Sequence, residues 1–327
     1  MSLVGVFTRW VRDNSWISGL LGLLVFLAIF SKIIDPPFQV RDLWGFGTSL
    51  LPLALAAVAQ TVCVIAGGID LSVGSQMALT SCIAATLMAG QGDLFGVPVV
   101  LLVLVVGLLL GALNGILVIV TKVPDIIVTL ATSFVYAGAA LLVTPRPAGG
   151  AAQWLKDGVV GAAVNLPFID VIPRAVVVIV VLVAVVWIPL RRSKLGLSLY
   201  ATGSNQLAAF RSGVSVSRTK IASYMITGFF AALAGLSLTA STGIGTPVPE
   251  PTYVLIAIAA VVLGGVSLAG GVGGVFGPII AVVVLQLIRN DMTYLRVDPN
   301  YGTVIQGLIL IGVLMAANYI QIRRSRA

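Results

Sequence analysis

The stretch that decides the fold runs from residue 53 to residue 89 and reads LALAAVAQTVCVIA (53–66), GGIDLSVG (67–74), SQ and MALTSCIAATLMA (77–89). Two apolar segments are separated by glycines and by the single carboxylate of Asp70. A charge at the centre of a bilayer costs about 2.5–3.5 kcal/mol or more. Broken backbone at that depth is tolerated only where protein or a water-filled cavity satisfies it. The stretch therefore predicts two helices that meet at a glycine-rich break around Asp70.

The rest of the chain has the same apolar character. Of its 327 residues, 59% are hydrophobic and only 9% are charged, and the mean hydropathy is +1.11, whereas soluble domains carry about 25% charged residues. A membrane-spanning helix needs about 20 apolar residues, and a membrane β-barrel would show alternating rather than continuous apolar runs. We therefore predict an all-α polytopic membrane protein that forms one domain over residues 1–327. It would have about ten transmembrane helices, near 16–34, 45–66, 72–90, 97–120, 125–144, 173–190, 218–241, 252–268, 272–289 and 302–320.

The distribution of basic residues predicts the orientation, because loops rich in Lys and Arg stay in the cytoplasm. With the N-terminus inside, most of the 19 Lys and Arg residues fall on the cytoplasmic side: Arg9, Arg12, Lys122, Arg191, Arg192, Lys194, Arg211, Arg218, Lys220, Arg323, Arg324 and Arg326. Both termini are then cytoplasmic, residues 145–172 form an outer loop and residues 191–217 form an inner loop. The net charge of +8 follows mostly from this asymmetry, so we expect lipid, and no nucleic acid, as a partner.

The chain lacks the residue patterns of most catalytic and metal sites. It contains no histidine, and its two cysteines, Cys63 and Cys82, lie in apolar runs as small buried residues do. No G-x-x-x-x-G-K-[ST] loop occurs, so the chain itself is not a P-loop ATPase. These absences argue against a metal site at the cysteines and against an ATPase within this chain.

Asp70 has two interpretations that the sequence leaves open. It precedes LSVGSQMAL, so its carboxylate can cap the N-terminus of the following helix. Alternatively, it lies on a transport path or in the coupling machinery, together with the polar residues Gln60, Ser72 and Asn114. These polar residues can equally serve interhelical hydrogen bonds, and Asn114 lies between glycines in GALNGILV, which allows close helix approach.

The pattern of the glycine segment occurs a second time in the chain. GGVSLAGG at 264–271 repeats the pattern GG-aliphatic-x-L-x-x-G of GGIDLSVG at 67–74, and we call this second copy the echo. Transporters often contain internal repeats with helices interrupted at matching places. The echo favours a transport protein.

The inner loop 191–217 contains a second informative segment, ATGSNQLAAFRSG at 201–213. Ser204 is predicted to cap a short helix from Asn205 to Ser212, and Gly213 is predicted to close it in the left-handed conformation. Such a helix suits insertion into the groove of a partner protein. An amphipathic helix lying on lipid headgroups is the alternative.

These segments together resemble the permease subunits of ribose-type bacterial ABC sugar importers. The segment AQTVCVIAGGIDLSVGSQMALT at 59–80 carries the strongest resemblance, and NGILV at 114–118, IIVTLAT at 126–132 and AIAAVVLGGVSLAGGVGG at 257–274 extend it along the chain. The resemblance implies a fold like that of type II importers. It also implies a non-catalytic transport subunit that binds no metal or cofactor itself and lies in the bacterial inner membrane. Its implied partners are a second permease subunit, separate cytoplasmic ATPases that bind ATP and Mg, and an extracytoplasmic sugar-binding protein.

The resemblance also assigns candidate functional residues. Gly203, Asn205, Ala208, Ala209 and Gly213 match the cytoplasmic coupling loop of the family, and with Arg211 they are expected to couple the chain to the ATPase. Arg146, Lys156 and Arg174 are basic residues on the predicted outer side, where they would contact the binding protein or simply face solvent. Two rival functions remain at this stage: a secondary transporter that uses Asp70 as an ion site, and a membrane scaffold that transports nothing.

Overall fold

The computed structural model describes residues 15–34, 39–163, 172–248 and 251–297, with single helical positions between 301 and 315. Within these residues the chain is helical, and its only β-pairings are the isolated bridges Ala148–Gly245 and Ala162–Pro173. The helices are α1 (Ser15–Ile34), α2 (Val40–Ile65), α3 (Val73–Met88), α4 (Gly96–Thr121), α5 (Asp125–Val143), α6 (Gln153–Val159), α7 (Arg174–Arg192), α8 (Lys194–Ser204), α9 (Gln206–Arg211), α10 (Val216–Thr242), α11 (Pro251–Leu263) and α12 (Phe276–Tyr294).

Six of these helices, α2, α4, α5, α7, α10 and α12, are long and apolar enough to cross a membrane. The helices α1, α3 and α11 contain shorter apolar segments of 10–17 residues. Every predicted apolar stretch up to residue 289 overlaps a helix, which confirms the all-α polytopic class. The last stretch, 302–320, lies largely outside the described residues, so the number of about ten spans stays a prediction.

The buried centre of the protein is formed by α2 and α10. Residues 50–65 of α2 are enclosed by other helices, whereas α4, α5 and α7 leave most of their positions outside the buried core. Leu142 and Phe134, for example, are 89% and 72% exposed. Exposed apolar faces on spanning helices are the surfaces that contact lipid or another subunit.

The close packing of α4 against α10 depends on glycines spaced four residues apart, at Gly107, Gly111 and Gly115. A Cβ atom at Gly111 would lie 2.0 Å from the backbone oxygen of Tyr224 in α10. Small residues drive association of membrane helices because they let the backbones approach. This packing confirms the sequence interpretation of GALNGILV and fixes the position of Asn114 in the buried interface.

The two long connections have structure of their own. The inner loop predicted at 191–217 consists mainly of α8 and α9, and the outer loop predicted at 145–172 contains α6. Residues 164–171 of the outer loop lie outside the described residues. The short helices α8 and α9 lie between the end of α7 and the start of α10, so they occupy one end of the bundle.

Candidate functional site

The predicted break around Asp70 is present in the structure. α2 ends at Ile65, Gly67 has a left-handed φ of 77°, and α3 begins at Val73. Asp70 lies in the connecting segment and is completely buried. A left-handed φ favours glycine, so Gly67 provides the turn that brings the carboxylate into the protein.

The Asp70 carboxylate accepts hydrogen bonds from four neighbouring donors. Its Oδ1 accepts from the backbone N–H of Ser72 at 2.8 Å and from the Ser72 hydroxyl at 2.6 Å. Its Oδ2 accepts from Gln76 Nε2 and from Asn114 Nδ2, each at 3.3 Å. No lysine or arginine in the described chain forms an ion pair with Asp70. Neutral donors therefore replace water around this buried carboxylate.

The polar cluster extends from Asp70 into α4 and α5. Asn114 Nδ2 also donates to the Ser72 hydroxyl at 2.8 Å, and Asn114 Oδ1 accepts from the Tyr136 hydroxyl at 2.9 Å. The N-cap residue of α3 is Ser72, and Asp70 accepts its backbone N–H. The carboxylate thus turns the chain into α3 and also joins α3 to α4 across the bundle.

Gln60 does not belong to this cluster. It is 1% exposed within α2, and neither its Oε1 nor its Nε2 has a hydrogen-bond partner among the described residues. The structure therefore brings Asp70, Ser72 and Asn114 together and leaves Gln60 apart.

An ion pair beside the break was not predicted from the sequence. Asp125 Oδ2, at the start of α5, lies 3.4 Å from Lys220 Nζ and accepts the Tyr224 hydroxyl at 2.9 Å. A Cβ atom at Gly68 would lie 2.8 Å from that same carboxylate oxygen. The pair joins α5 to the first turns of α10, directly against the glycine segment. No local pattern signals it, since 95 residues separate the partners.

The two glycine segments that echo each other in sequence meet in the structure. Gly271 N donates to the Ile65 backbone oxygen at 2.9 Å, so the end of α2 contacts the segment between α11 and α12. Gly203, in the last turn of α8, packs against both of them. A Cβ atom at Gly203 would lie 1.9 Å from the Ile65 oxygen and 2.6 Å from Gly271 N. Gly203 therefore contacts the end of α2 and the segment between α11 and α12, while the other predicted coupling residues lie on or next to α9.

The matching positions of the two segments also make the same local turn. Asp70 corresponds to Ser267 in the echo. Asp70 Oδ1 accepts from the N–H two residues ahead at 2.8 Å, and Ser267 Oγ accepts from Ala269 N at 3.3 Å. Side-chain bonds of this kind are typical of Asx and Ser/Thr turns. The side-chain turn is therefore common to both segments, and only the first copy carries a charge. The backbones before it differ, because the left-handed glycine is Gly67 in the first segment and Gly265 in the second, one position later in the aligned pattern.

The short helix of the inner loop is close to its predicted position, with one correction. The prediction that Ser204 caps it is wrong, because Ser204 ends α8 and Asn205 is the N-cap of α9. The backbone is extended at Asn205, with φ −162° and ψ 108°, and Asn205 Oδ1 accepts from Ala208 N at 2.9 Å. Gly213 closes the helix with a left-handed φ of 85°.

The side of α9 that faces away from the bundle carries two large apolar side chains and one cation. Leu207 is 59% and Phe210 is 68% exposed, while Ala209 is 5% exposed and faces the protein. Ala208 and Arg211 are also exposed. The helix thus presents two large apolar side chains and Arg211 away from the bundle.

Replacing the capping residue should loosen α9 alone. We expect Asn205→Ala to remove about 1 kcal/mol of helix stability, because the N–H of Ala208 loses its acceptor. Hydrogen exchange of the α9 amides should accelerate about fivefold, as that energy implies. Ser204→Ala is the matched control and should exchange like the unmodified chain. Equal acceleration in both variants would contradict the assignment of the cap.

The three basic residues predicted on the outer side occupy different environments. Arg146 is exposed between α5 and α6, and Lys156 lies in α6 beside a small cavity that Gly243 also lines. Arg174, at the start of α7, donates to the backbone oxygens of Ala162 at 2.6 Å and Val160 at 3.2 Å, and to that of Asp157. Its guanidinium therefore ties the outer loop to α7.

A cavity of about 730 Å³ opens at the end of α10 that is opposite to α9. It is bounded by α2, α10, α11 and α12, and we call it the α2–α12 cavity. Its wall contains two aromatic residues, Trp44 and Tyr253, and two arginines, Arg41 and Arg289. The polar part of the wall comprises Thr48, Ser49, Ser241, Thr242, Gln286 and Asn290. This volume lies within the range of about 300–1,000 Å³ typical of small-molecule sites.

These features define a class of protein before any comparison. A bundle of apolar helices, a break around a buried carboxylate, a polar cavity at one end and a small exposed helix at the other are the parts of a membrane transport protein.

Comparison with known proteins identifies the family. A family model described as "Branched-chain amino acid transport system / permease component" matches residues 44–314. The chain therefore belongs to this permease family, and the predicted resemblance to ribose-type ABC import permeases is confirmed.

Individual relatives resemble the chain over nearly its whole length. It is 33% identical over 302 residues to the ribose import permease protein of Haemophilus influenzae, covering 92% of each chain. It is 34% identical over 300 residues to the ribose import permease protein of Bacillus subtilis, covering 90% of each chain. It is also 32% identical over 312 residues to the autoinducer 2 import system permease protein of Photorhabdus luminescens, covering 94% of this chain and 91% of that one. No solved structure matches the chain at a significant level.

Proposed function

We propose that the chain forms the translocation path of an ATP-driven importer for a monosaccharide or a related small polyol. The α2–α12 cavity carries this proposal, because hydroxyl, amide and aromatic side chains line it and its volume suits a small solute. Two of the similar proteins are named ribose import permeases, which supports a sugar as the substrate class.

In this proposal the chain performs no chemistry, and separate subunits supply the energy. Cytoplasmic ATPases bind ATP and Mg, a second permease subunit completes the path, and an extracytoplasmic binding protein delivers the sugar. The protein resides in the bacterial inner membrane as a single permease domain over residues 1–327, with both termini cytoplasmic. The cavity then faces outward, and α9 faces the cytoplasm.

The coupling surface in this proposal is the exposed face of α9. Leu207 and Phe210 would insert into a groove on the ATPase, with Arg211 at the rim, while Asn205 and Gly213 hold the ends of the helix. Ala208 keeps the exposed face narrow, and Ala209 lets the helix lie close to the bundle. ATP binding and sugar delivery would each shift the conformation through their different affinities for the two states.

The rival function, an ion-coupled secondary transporter, fits the site less well. An ion site at Asp70 requires free lone pairs on its carboxylate. The carboxylate already accepts four hydrogen bonds, which hold α3 and α4 together. A structural role for Asp70 in the path-forming subunit explains the same contacts without an ion.

Reconstitution tests the proposed function. The chain would be placed in liposomes together with the ATPase and binding protein that copurify with it from its own cells. We expect uptake of labelled D-ribose or a similar monosaccharide that requires ATP and all components. Accumulation driven by an ion gradient with no ATPase present would refute the proposal, as would no flux of any sugar in the complete system.

Truncating the apolar face of α9 should weaken assembly with the ATPase. We expect Leu207→Ala combined with Phe210→Ala to lower the affinity about tenfold, because truncating both side chains removes most of the apolar surface that α9 can bury against the ATPase. Titration of the purified ATPase onto the permease in nanodiscs measures this. Leu142→Ala, on an exposed apolar position of α5, is the control and should bind normally. Unchanged affinity in the double variant would rule out this face as the docking surface.

A further inference from the structure

We propose that the α2–α12 cavity binds a polyol that carries one negative charge, such as a sugar acid or a phosphorylated sugar, in preference to a neutral sugar. This inference rests on the proposed function and narrows its substrate class.

One buried side chain in the wall has an amide oxygen without a hydrogen-bond partner among the described residues. Gln286 in α12 is 7% exposed, and its Oε1 has no hydrogen-bond partner among the described residues. Its Nε2 makes only long contacts, 3.4 Å to Ser49 Oγ and 3.4 Å to Asn290 Oδ1. A buried unsatisfied amide costs about 1–3 kcal/mol. The Oε1 atom itself is enclosed, so a ligand hydroxyl would remove that cost once the Gln286 amide turned toward the cavity.

The hydroxyl groups on the cavity wall already donate their protons to backbone oxygens of the protein. Thr48 Oγ1 donates to the Trp44 oxygen at 2.8 Å, and Ser241 Oγ donates to the Leu238 oxygen at 3.0 Å. Their lone pairs remain as acceptors. Pro52 lies inside α2 and has no N–H, so it cannot donate to the backbone oxygen of Thr48 four residues earlier. The interior is therefore rich in acceptors, which suits a solute with several hydroxyl donors.

The charged side chains that line the cavity, among the described residues, are all positive. Arg41 and Arg289 both line the cavity, and no described Asp or Glu does. Arg41 lies in the first turn of α2, where the helix dipole disfavours a cation, so local helix stability does not explain its presence. The nearby Asp42 carboxylate is engaged in the α2 capping box, where it accepts the Gln39 N–H at 2.7 Å. Arginine recognises carboxylate and phosphate groups through paired hydrogen bonds.

The positions of Arg41 and Pro52 along α2 define the orientation of the ligand in the cavity. Arg41 and Pro52 are separated by eleven residues, which corresponds to about 16 Å along a helix. Both line the cavity, so it reaches from the helix end well into the bundle. An anionic group near Arg41 and Arg289 would leave the hydroxylated part of the molecule facing the acceptors, with Trp44 and Tyr253 as apolar surfaces for the sugar ring.

Direct binding measurements test this inference. The full chain in phosphatidylcholine nanodiscs would be dialysed against labelled D-ribonate and labelled D-ribose. We expect ribonate to bind at least about tenfold more tightly, the effect of one charge-assisted interaction. Arg41→Gln and Arg289→Gln should each reduce the preference severalfold, and the double variant should abolish it while ribose binding persists. Arg218→Gln, an exposed arginine at the other end of α10, should leave the preference unchanged.

Several outcomes would overturn the inference. Equal affinity for ribonate and ribose would do so, and so would a preference that survives in the double arginine variant. The arginines could instead hold lipid headgroups, so the titration would be repeated with phosphatidylglycerol in the nanodiscs. Loss of the ribonate preference there would assign the arginines to lipid. In each of these cases, ATP-dependent ribose uptake by the reconstituted system would still support the proposed function.

Discussion

Asp70→Ala should destabilise the protein by about 2–4 kcal/mol, a large part of the 5–15 kcal/mol typical of folded domains. The substitution removes the acceptor for the N–H of Ser72 and for the side-chain amides of Gln76 and Asn114, all of which are buried. Each buried donor left without a partner costs about 1–3 kcal/mol, although donors that find new partners reduce the sum. The melting temperature of the purified protein in detergent measures the effect.

Asp70→Asn separates the need for an acceptor from the need for a charge. The asparagine oxygen can still accept from Ser72, while its NH₂ group needs a new acceptor. Gln76 Oε1 has no partner among the described residues, so rotation of that amide can supply one. We therefore expect Asn to lose only about 1 kcal/mol.

The control for both variants is Asp157→Ala, because Asp157 is exposed and, among the described residues, its side chain bonds only to Gln153. It should change the melting temperature little. An Asp70→Ala variant as stable as the original protein would show that the cluster does not hold α3 to α4. Normal stability with complete loss of uptake in the Asp70→Asn variant would place Asp70 in the transport path instead.

The sequence predicted this region well because its signals are local. The glycines at positions 67 and 68 and a carboxylate among apolar residues are visible within a few positions of the sequence. The helix start was expected directly after Asp70, whereas the N-cap is Ser72 and α3 begins at Val73. The short helix α9 was likewise predicted to within one residue. The error at its cap has a simple cause, since Ser204 and Asn205 are both good capping residues and the choice depends on where α8 ends.

The remaining features depend on contacts between distant parts of the chain. Asp125 and Lys220 lie in different helices, and nothing in either local sequence predicts that they pair. The α2–α12 cavity is assembled from four helices, so neither its lining nor the missing partner of Gln286 Oε1 among the described residues is visible in any local stretch. Gly203 was grouped with the docking residues by resemblance, yet its contacts are with Ile65 and Gly271. Sequence similarity selected the residue without indicating which surface it faces.

Gly203→Ala should abolish at least about nine tenths of ATP-dependent uptake while leaving α9 able to bind the ATPase. The added Cβ would lie 1.9 Å from the Ile65 oxygen, and a backbone group cannot move aside as a flexible side chain can. α8 would then separate from the two glycine segments, one of which leads into the Asp70 cluster. On the proposed function, movement of α9 by the ATPase would no longer reach the break between α2 and α3.

The comparison with Gly138→Ala isolates this contact, because Gly138 lies in α5 with no atom within 4 Å of the added Cβ. That variant should transport normally and should be slightly more stable, since Ala favours a helix over Gly by about 1 kcal/mol. For Gly203→Ala, uptake and ATPase affinity would be measured on the same reconstituted sample. Reduced affinity would assign Gly203 to the docking surface, and normal uptake would show that this contact transmits nothing. Normal affinity with continued ATP hydrolysis and no uptake would mean that the force generated by the ATPase reaches the membrane helices through the glycine contact.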